Sequence, residues 1–137
     1  MYTKKLLIAL LLLATTFSFS QGKDLPKDFL SKEFHKERRE ALRSKMPKNS
    51  VAVFFANATR NRANDVDYVY HQDPNFYYLT GNKEQNSVLL IFSEEQQYGN
   101  GSYNELIYVE KKSARAAIVS GPGLGVEGVK KLLGFKD

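Results

Sequence analysis

The residues able to do chemistry in this chain are few and scattered. There are two histidines, His35 and His71, and no cysteine. A hydrolytic metal centre needs several His, Asp, Glu or Cys ligands brought together. His35 sits in a charged segment where Glu37 and Glu40 do not complete a zinc-binding helix pattern, and it reads as a solvated helix residue. His71, beside Gln72 and Asp73 in an aromatic-rich stretch, could bond a ligand, but a structural contact is the simpler assignment. A functional imidazole needs a partner that fixes its tautomer. No Gly-x-Ser-x-Gly elbow occurs and the serines have no obvious histidine partner in sequence, although triads assemble in space. Gly123-Leu124-Gly125-Val126-Glu127-Gly128 fits the G-x-G-x-x-G phosphate pattern. Its preceding segment, Ala114 to Ser120, is a poor strand, and a tight loop entering a helix accounts for these glycines more simply. A nucleotide-binding fragment is therefore the least favoured reading.

The elements that must position these groups fit in one domain, because 137 residues leave room for no more. Residues 1–20 stand apart: Lys4 and Lys5, an apolar run from Leu6 to Ala14, then Ser18-Phe19-Ser20 before Gln21. This is the three-part layout of a secretory signal, with small residues Ser18 and Ser20 at the cleavage positions. The run is short for a membrane span, which needs about 20 apolar residues. The expectation is export, to a periplasm or outside the cell, with no membrane attachment after cleavage. Without Lys4 and Lys5 the chain carries 18 basic against 15 acidic residues, +3 rather than +5. The excess lies in Lys32 to Lys48 with no interleaved aromatic stripe, so a solvated helix face is favoured and a nucleic-acid partner is not expected. Without cysteine an exported domain this small has only its core or a partner to hold it together. Asn57-Ala58-Thr59 and Asn100-Gly101-Ser102 match glycosylation acceptors and mark surface loops.

Residues 21–30 read as a flexible leader. Ser31 to Met46 is helical by the recurrence of Phe34, Arg38, Ala41, Leu42 and Lys45, with the stems of Arg38 and Lys45 laid along the apolar face; Pro47 stops it. Val51 to Ala56 is a continuous apolar run, which predicts a strand buried on both faces. Asn57 to Asp67 reads as a polar loop. Asp73 caps a short helix begun by Pro74 and ended by Gly81. Ser87–Phe92 and Leu106–Val109 form a long antiparallel hairpin about Gly99-Asn100-Gly101. Short helices are expected at Lys112–Ile118 and Val126–Leu133, the second stopped by Gly134.

From the first helix onward the chain resembles the N-terminal domain of aminopeptidase P, the Xaa-Pro aminopeptidases of the creatinase and prolidase superfamily of metallopeptidases. The residues that carry the likeness are Glu37-Arg38-Arg39-Glu40-Ala41-Leu42, Val51 to Ala56, the block Asp67-Tyr68-Val69-Tyr70-His71-Gln72-Asp73-Pro74-Asn75-Phe76-Tyr77-Tyr78-Leu79-Thr80-Gly81, and the ending from Gly121 to Gly134. The Tyr68–Gly81 block is the specific part: the family has a Tyr-x-Tyr-Arg-Gln lead, a polar turn, and an aromatic cluster closed by Thr-Gly. His71 stands where the family has Arg, and Val119 to Gly123 replaces a Trp-x-Gly-Arg-Arg-type stretch.

The resemblance implies a three-layer α/β/α sandwich around a mixed sheet, incomplete at its C-terminal end over 31–137, without the catalytic pita-bread domain. In the family that domain holds two divalent metals, typically manganese, and cleaves the bond before a proline at the second position of a peptide. No metal ligand or catalytic residue of that set is expected in 1–137. The implied roles are subunit contacts in a homo-oligomer and part of the active-site wall. Asp65 matches the place of an acid that faces a neighbouring subunit's site, and Tyr68, Tyr70, His71 and Tyr77 are its companions. The alternative from another class is a stand-alone exported binding or assembly module.

Overall fold

The computed structural model describes residues 30–111 and 123–135. The expected signal segment with Ser18 and Ser20, the leader up to residue 29, and the helix expected at Lys112–Ile118 lie outside the described residues.

Helix α1 (Lys32–Arg43) begins where the Ser31 hydroxyl accepts the Phe34 amide, and places Glu33 in its first turn and Arg43 in its last, in keeping with the helix dipole. It ends three residues earlier than the apolar spacing suggested. Strand β1 (Val51–Phe55) follows, then two short strands, β2 (Asn61–Ala63) and β3 (Val66–Asp67), in place of the expected loop. All five residues are exposed, so no inward–outward alternation of side chains marked this hairpin in the sequence. Helix α2 (Pro74–Thr80) has the predicted caps: Asp73 accepts the Phe76 amide, and Gly81 closes it at φ +72°. The long hairpin β4 (Val88–Tyr98) and β5 (Gly101–Tyr108) turns at Gly99, whose positive φ of +58° a two-residue turn requires. Helix α3 (Gly125–Gly128) runs directly into a π-helical turn (Val129–Leu133), stopped by Gly134 at φ +74°.

β1, β4 and β5 form one sheet in that order, and both pairings are antiparallel. Ala52 faces Ile91 and Phe54 faces Leu89 across β1 and β4, while Glu105 and Ile107 respectively continue those two rows onto β5. This face meets the helices. Phe76 and Leu79 of α2, Leu89 and Ile91 of β4, Val129 and Phe135 make the core, with Leu42, Ala52, Phe54 and Ile107 packed against it.

The described residues leave the other face of the sheet uncovered. Val51, Val53, Phe55 and Tyr108 are exposed there, Phe55 by 65%. β1 is thus half-buried, not enclosed on both sides as its unbroken apolar run suggested: the run reports composition, and only tertiary cover decides whether the second face is dry. Among the described residues there are two layers and a purely antiparallel sheet.

The buried side of α1 also departs from expectation. His35 is buried, not solvated, and Arg39 is fully buried, whereas Lys45 is exposed. Arg39 donates from Nε and Nη2 to the two carboxylate oxygens of Glu105 at 2.9 and 3.0 Å, and from Nη1 to the Leu79 carbonyl at 2.8 Å. Its guanidinium also lies 4.2 Å from the Phe135 ring centre. Arg43 adds a third hydrogen bond to Glu105 at 3.0 Å and reaches the Phe92 carbonyl. Burial alone pushes the Glu105 carboxyl up, but the hydrogen bonds and charges of Arg39 and Arg43 outweigh it and hold the group below its ordinary value.

Candidate functional site

The segment from Asn57 to Glu84 carries every site residue expected within the fold. Its outer part is the β2–β3 hairpin. Asn64 takes a left-handed conformation at the tip, φ +49°, and the Asn61 side chain donates to the Asn64 carbonyl at 2.8 Å. Asp65 follows at the tip and is exposed. The Tyr68 amide returns to the Arg60 carbonyl at 2.9 Å, after which Tyr68 and Val69 stand exposed, Val69 by 82%.

The inner part is organised by Gln72. Its Oε1 accepts the amides of Asn57 at 3.0 Å and Asp73 at 2.9 Å, and its Nε2 donates to the carbonyls of Asn82 and Glu84 at 3.2 and 2.8 Å. The Tyr70 hydroxyl lies 2.9 Å from the same Oε1 and 3.0 Å from the Asn57 carbonyl, so its one proton serves one of the two at a time. Burial, reinforced by the negative charge of Asp73, raises the Tyr70 phenol above its ordinary value and keeps it protonated as a donor. Asn57 Nδ2 donates to the His71 carbonyl at 3.0 Å, which leaves the His71 ring exposed.

Behind this hub, Asn82 is wholly buried: its amide meets Thr80 Oγ1, its Nδ2 meets Ser87 Oγ, and its Oδ1 accepts the Glu84 amide. Glu84 in turn accepts the Leu124 amide at the entrance to α3. A carboxylate therefore occupies an amide of the Gly123–Gly128 loop, where a phosphate would have to bind, and α3 proper is only four residues long. Both features weigh against the nucleotide reading.

The structure sorts the five expected residues into two sets. Asp65, Tyr68 and His71 lie exposed along the hairpin and its return. Tyr70 is held by Asn57 and Gln72, and Tyr77 is half-buried with its ring 5.7 Å from that of His35 and beneath the Lys83 ammonium. Sequence reasoning missed Gln72, Asn82, Glu84 and Arg39. Gln72 could have been suspected because it sits between the aromatic lead and the Asp73 cap, and Asn82 because its partners Thr80, Glu84 and Ser87 are local; Arg39 and Glu84 have partners too distant in sequence to signal.

The donor groups do not converge. Among the described residues no three His, Asp, Glu or Cys side chains stand close enough to hold a metal ion. His35 Nδ1 faces the Tyr78 carbonyl at 2.8 Å. A carbonyl can only accept, so that nitrogen carries the proton.

Comparison with known proteins gives the same outline. The family description "Aminopeptidase P, N-terminal domain" matches residues 35–137. The Xaa-Pro aminopeptidase of Haemophilus influenzae is 32% identical over 108 residues, 79% of this chain and 24% of that protein. Intermediate cleaving peptidase 55 of Schizosaccharomyces pombe is 37% identical over 84 residues, 61% of this chain and 17% of that protein. The low-pH form of aminopeptidase P from Escherichia coli superposes with a TM-score of 0.68 at 28% identity, over 78% of this chain and 23% of that one. The chain thus spans a quarter or less of the length of these relatives.

Proposed function

Given that the chain belongs to the aminopeptidase P N-terminal domain family, we propose that it is the non-catalytic N-terminal part of an exported Xaa-Pro aminopeptidase. In that role it contributes subunit contacts and one wall of the active site. The catalytic domain follows it, binds two divalent metals, manganese by resemblance, and removes the residue before a proline at the second position. The observation that carries the reading is the family match over residues 35–137.

The geometry supports the wall role. Asp65, Tyr68 and His71 project on an arm whose base is fixed by five contacts to the one Gln72 amide group. A substrate wall needs such side chains held by a rigid support. The open apolar face bearing Val51, Val53, Phe55 and Tyr108 favours a part that awaits cover, in the third layer of an α/β/α sandwich, over a stand-alone module.

The test is a graft. Residues 30–137 replace the matching region of the Escherichia coli Xaa-Pro aminopeptidase, and cleavage of an Xaa-Pro peptide is followed with manganese present. Turnover by the graft, and none by this chain alone, is the expected result. Manganese-dependent turnover by the 137-residue chain alone would overturn the assignment. Export is tested separately, by the mass of the product secreted from cells expressing the whole chain, with cleavage after Ser20 expected.

A further inference from the structure

Past the core, β4 and β5 continue as a two-stranded extension. β1 runs beside β4 no farther than Ser93, whose amide meets the Ser50 carbonyl at 3.0 Å. The pairing of β4 with β5 is irregular between Ile91 and Gln96, and it resumes as Gln96 with Tyr103, Gln97 with Ser102 and Tyr98 with Gly101. The Phe92 and Tyr103 rings, 5.7 Å apart, clasp the root of the extension. Beyond that clasp nothing is buried among the described residues: Gln97 to Ser102 are all exposed, Tyr98 by 80%. An isolated two-stranded hairpin is marginally stable in water, and a segment with few buried contacts opens at little cost.

The turn at the tip is Gly99-Asn100, closed by the Tyr98–Gly101 pair. Asn100 is followed by glycine, which is true of no other asparagine in the chain. The order matters chemically. The main-chain nitrogen of the following residue can attack an asparagine's own Cγ, and a side chain on that residue crowds the approach; glycine has none. The Asn100 side chain is exposed and takes no partner among the described residues. By contrast, Asn57, Asn61, Asn82 and Asn86 each commit Nδ2 to a protein acceptor, and none of them precedes a glycine.

We propose that Asn100 is a site of spontaneous deamidation and isoaspartate formation, reached when the Tyr98–Gly101 pair opens. The Gly101 nitrogen gives its proton to solvent base and bonds to Asn100 Cγ. The Cγ–Nδ2 bond breaks, and ammonia leaves with a proton returned by solvent. The product is a cyclic imide, which water opens at either carbonyl. Opening at Cγ leaves aspartate; opening at the main-chain carbonyl leaves isoaspartate, whose backbone runs through the side chain and is a methylene longer. Register in a hairpin is fixed by the length of its loop, so the isoaspartyl form loses the Tyr98–Gly101 pair. Either product adds a negative charge at the tip.

In the experiment the purified 137-residue chain is held at neutral and at mildly alkaline pH and digested at intervals. The peptide spanning Asn100 is followed by mass spectrometry with fragmentation that separates aspartate from isoaspartate. Both acids are expected to accumulate at position 100 ahead of every other asparagine, and faster at the higher pH, because the attacking form is the deprotonated amide. Gly101→Ala, whose added methyl would meet only the Tyr98 carbonyl at 3.8 Å, should fold and lose most of the conversion. Amide hydrogen exchange at Gly101 should be much faster than at Leu89 to Ile91 in the central strand. The proposal is overturned by an Asn100 that remains an amide, by conversion at an undiminished rate in Gly101→Ala, or by a Gly101 amide as protected as those of the central strand.

Discussion

Arg39 and Glu105 are joined by two parallel hydrogen bonds across the seam between α1 and the sheet, Nε to Oε2 at 2.9 Å and Nη2 to Oε1 at 3.0 Å, with no solvent exposure at Arg39. Glu105 stands opposite Ile91 on the core face, a position that composition alone would assign to an aliphatic residue. Removing one member of such a pair leaves a charge buried without compensation. Arg39→Met is expected to cost about 3–5 kcal/mol in urea unfolding. Replacing both residues by apolar ones of similar size should restore most of that loss, and a double variant no better than the single one would contradict this account.

The same carboxylate sets a pH dependence. The folded-state value of Glu105 is depressed, so its stabilising contribution is complete above the unfolded-state value of about 4.3. It drains away as pH falls below that toward and past the folded value. Melting temperatures measured downward from pH 6 are expected to fall through this window. In Glu105→Gln, already weaker at neutral pH, that component of the slope should be absent.

Gly81 tests the contact between α1 and α2. Its φ is +72°, and a Cβ placed there would sit 2.8 Å from the buried His35 ring. Gly81→Ala is expected to lower stability by about 2 kcal/mol or more. Combining it with His35→Ala should relieve the clash but not the backbone strain, a coupling that a double-mutant cycle can read.

Gln72→Glu replaces a donor by an acceptor against the carbonyls of Asn82 and Glu84. A loss of about 2–3 kcal/mol is expected from two carbonyls left unsatisfied. Faster proteolytic cutting between residues 57 and 71 should accompany it.

For the wall role, Asp65→Ala in the active graft is expected to lower kcat/KM roughly tenfold, about 1.4 kcal/mol of transition-state stabilisation, while the melting temperature stays unchanged. Equal activity of graft and variant would remove Asp65 from the site.

What the sequence disclosed follows from the range of the interactions involved. The α2 caps, Asp73 and Gly81, and the Gly99 turn act within a few residues of themselves, so their chemistry was readable directly. The aromatic block from Tyr68 to Gly81 gave the family for a related reason: it is a continuous segment. Arg39 and His35 were misplaced because their partners, Glu105 and the Tyr78 carbonyl, lie 66 and 43 positions away. Without those partners an Arg or His on a charged helix belongs in water. Among the site residues, Asp65, Tyr68 and His71 are exposed, as loop residues between elements commonly are. The engagement of Tyr70 could not be foreseen, because it depends on a glutamine whose five contacts come from three separate turns.

That glutamine makes the arm an extension of the core's own geometry. With both ends of Asn57–Gln72 fastened to one side-chain amide, the hairpin has no independent hinge at its root, and any tilt of α2 is carried outward like the swing of a lever. Substitutions at the Tyr77–His35 contact, at the foot of the arm, would then alter the aim of Asp65. Tolerance to change in this domain is accordingly set by how accurately it must point.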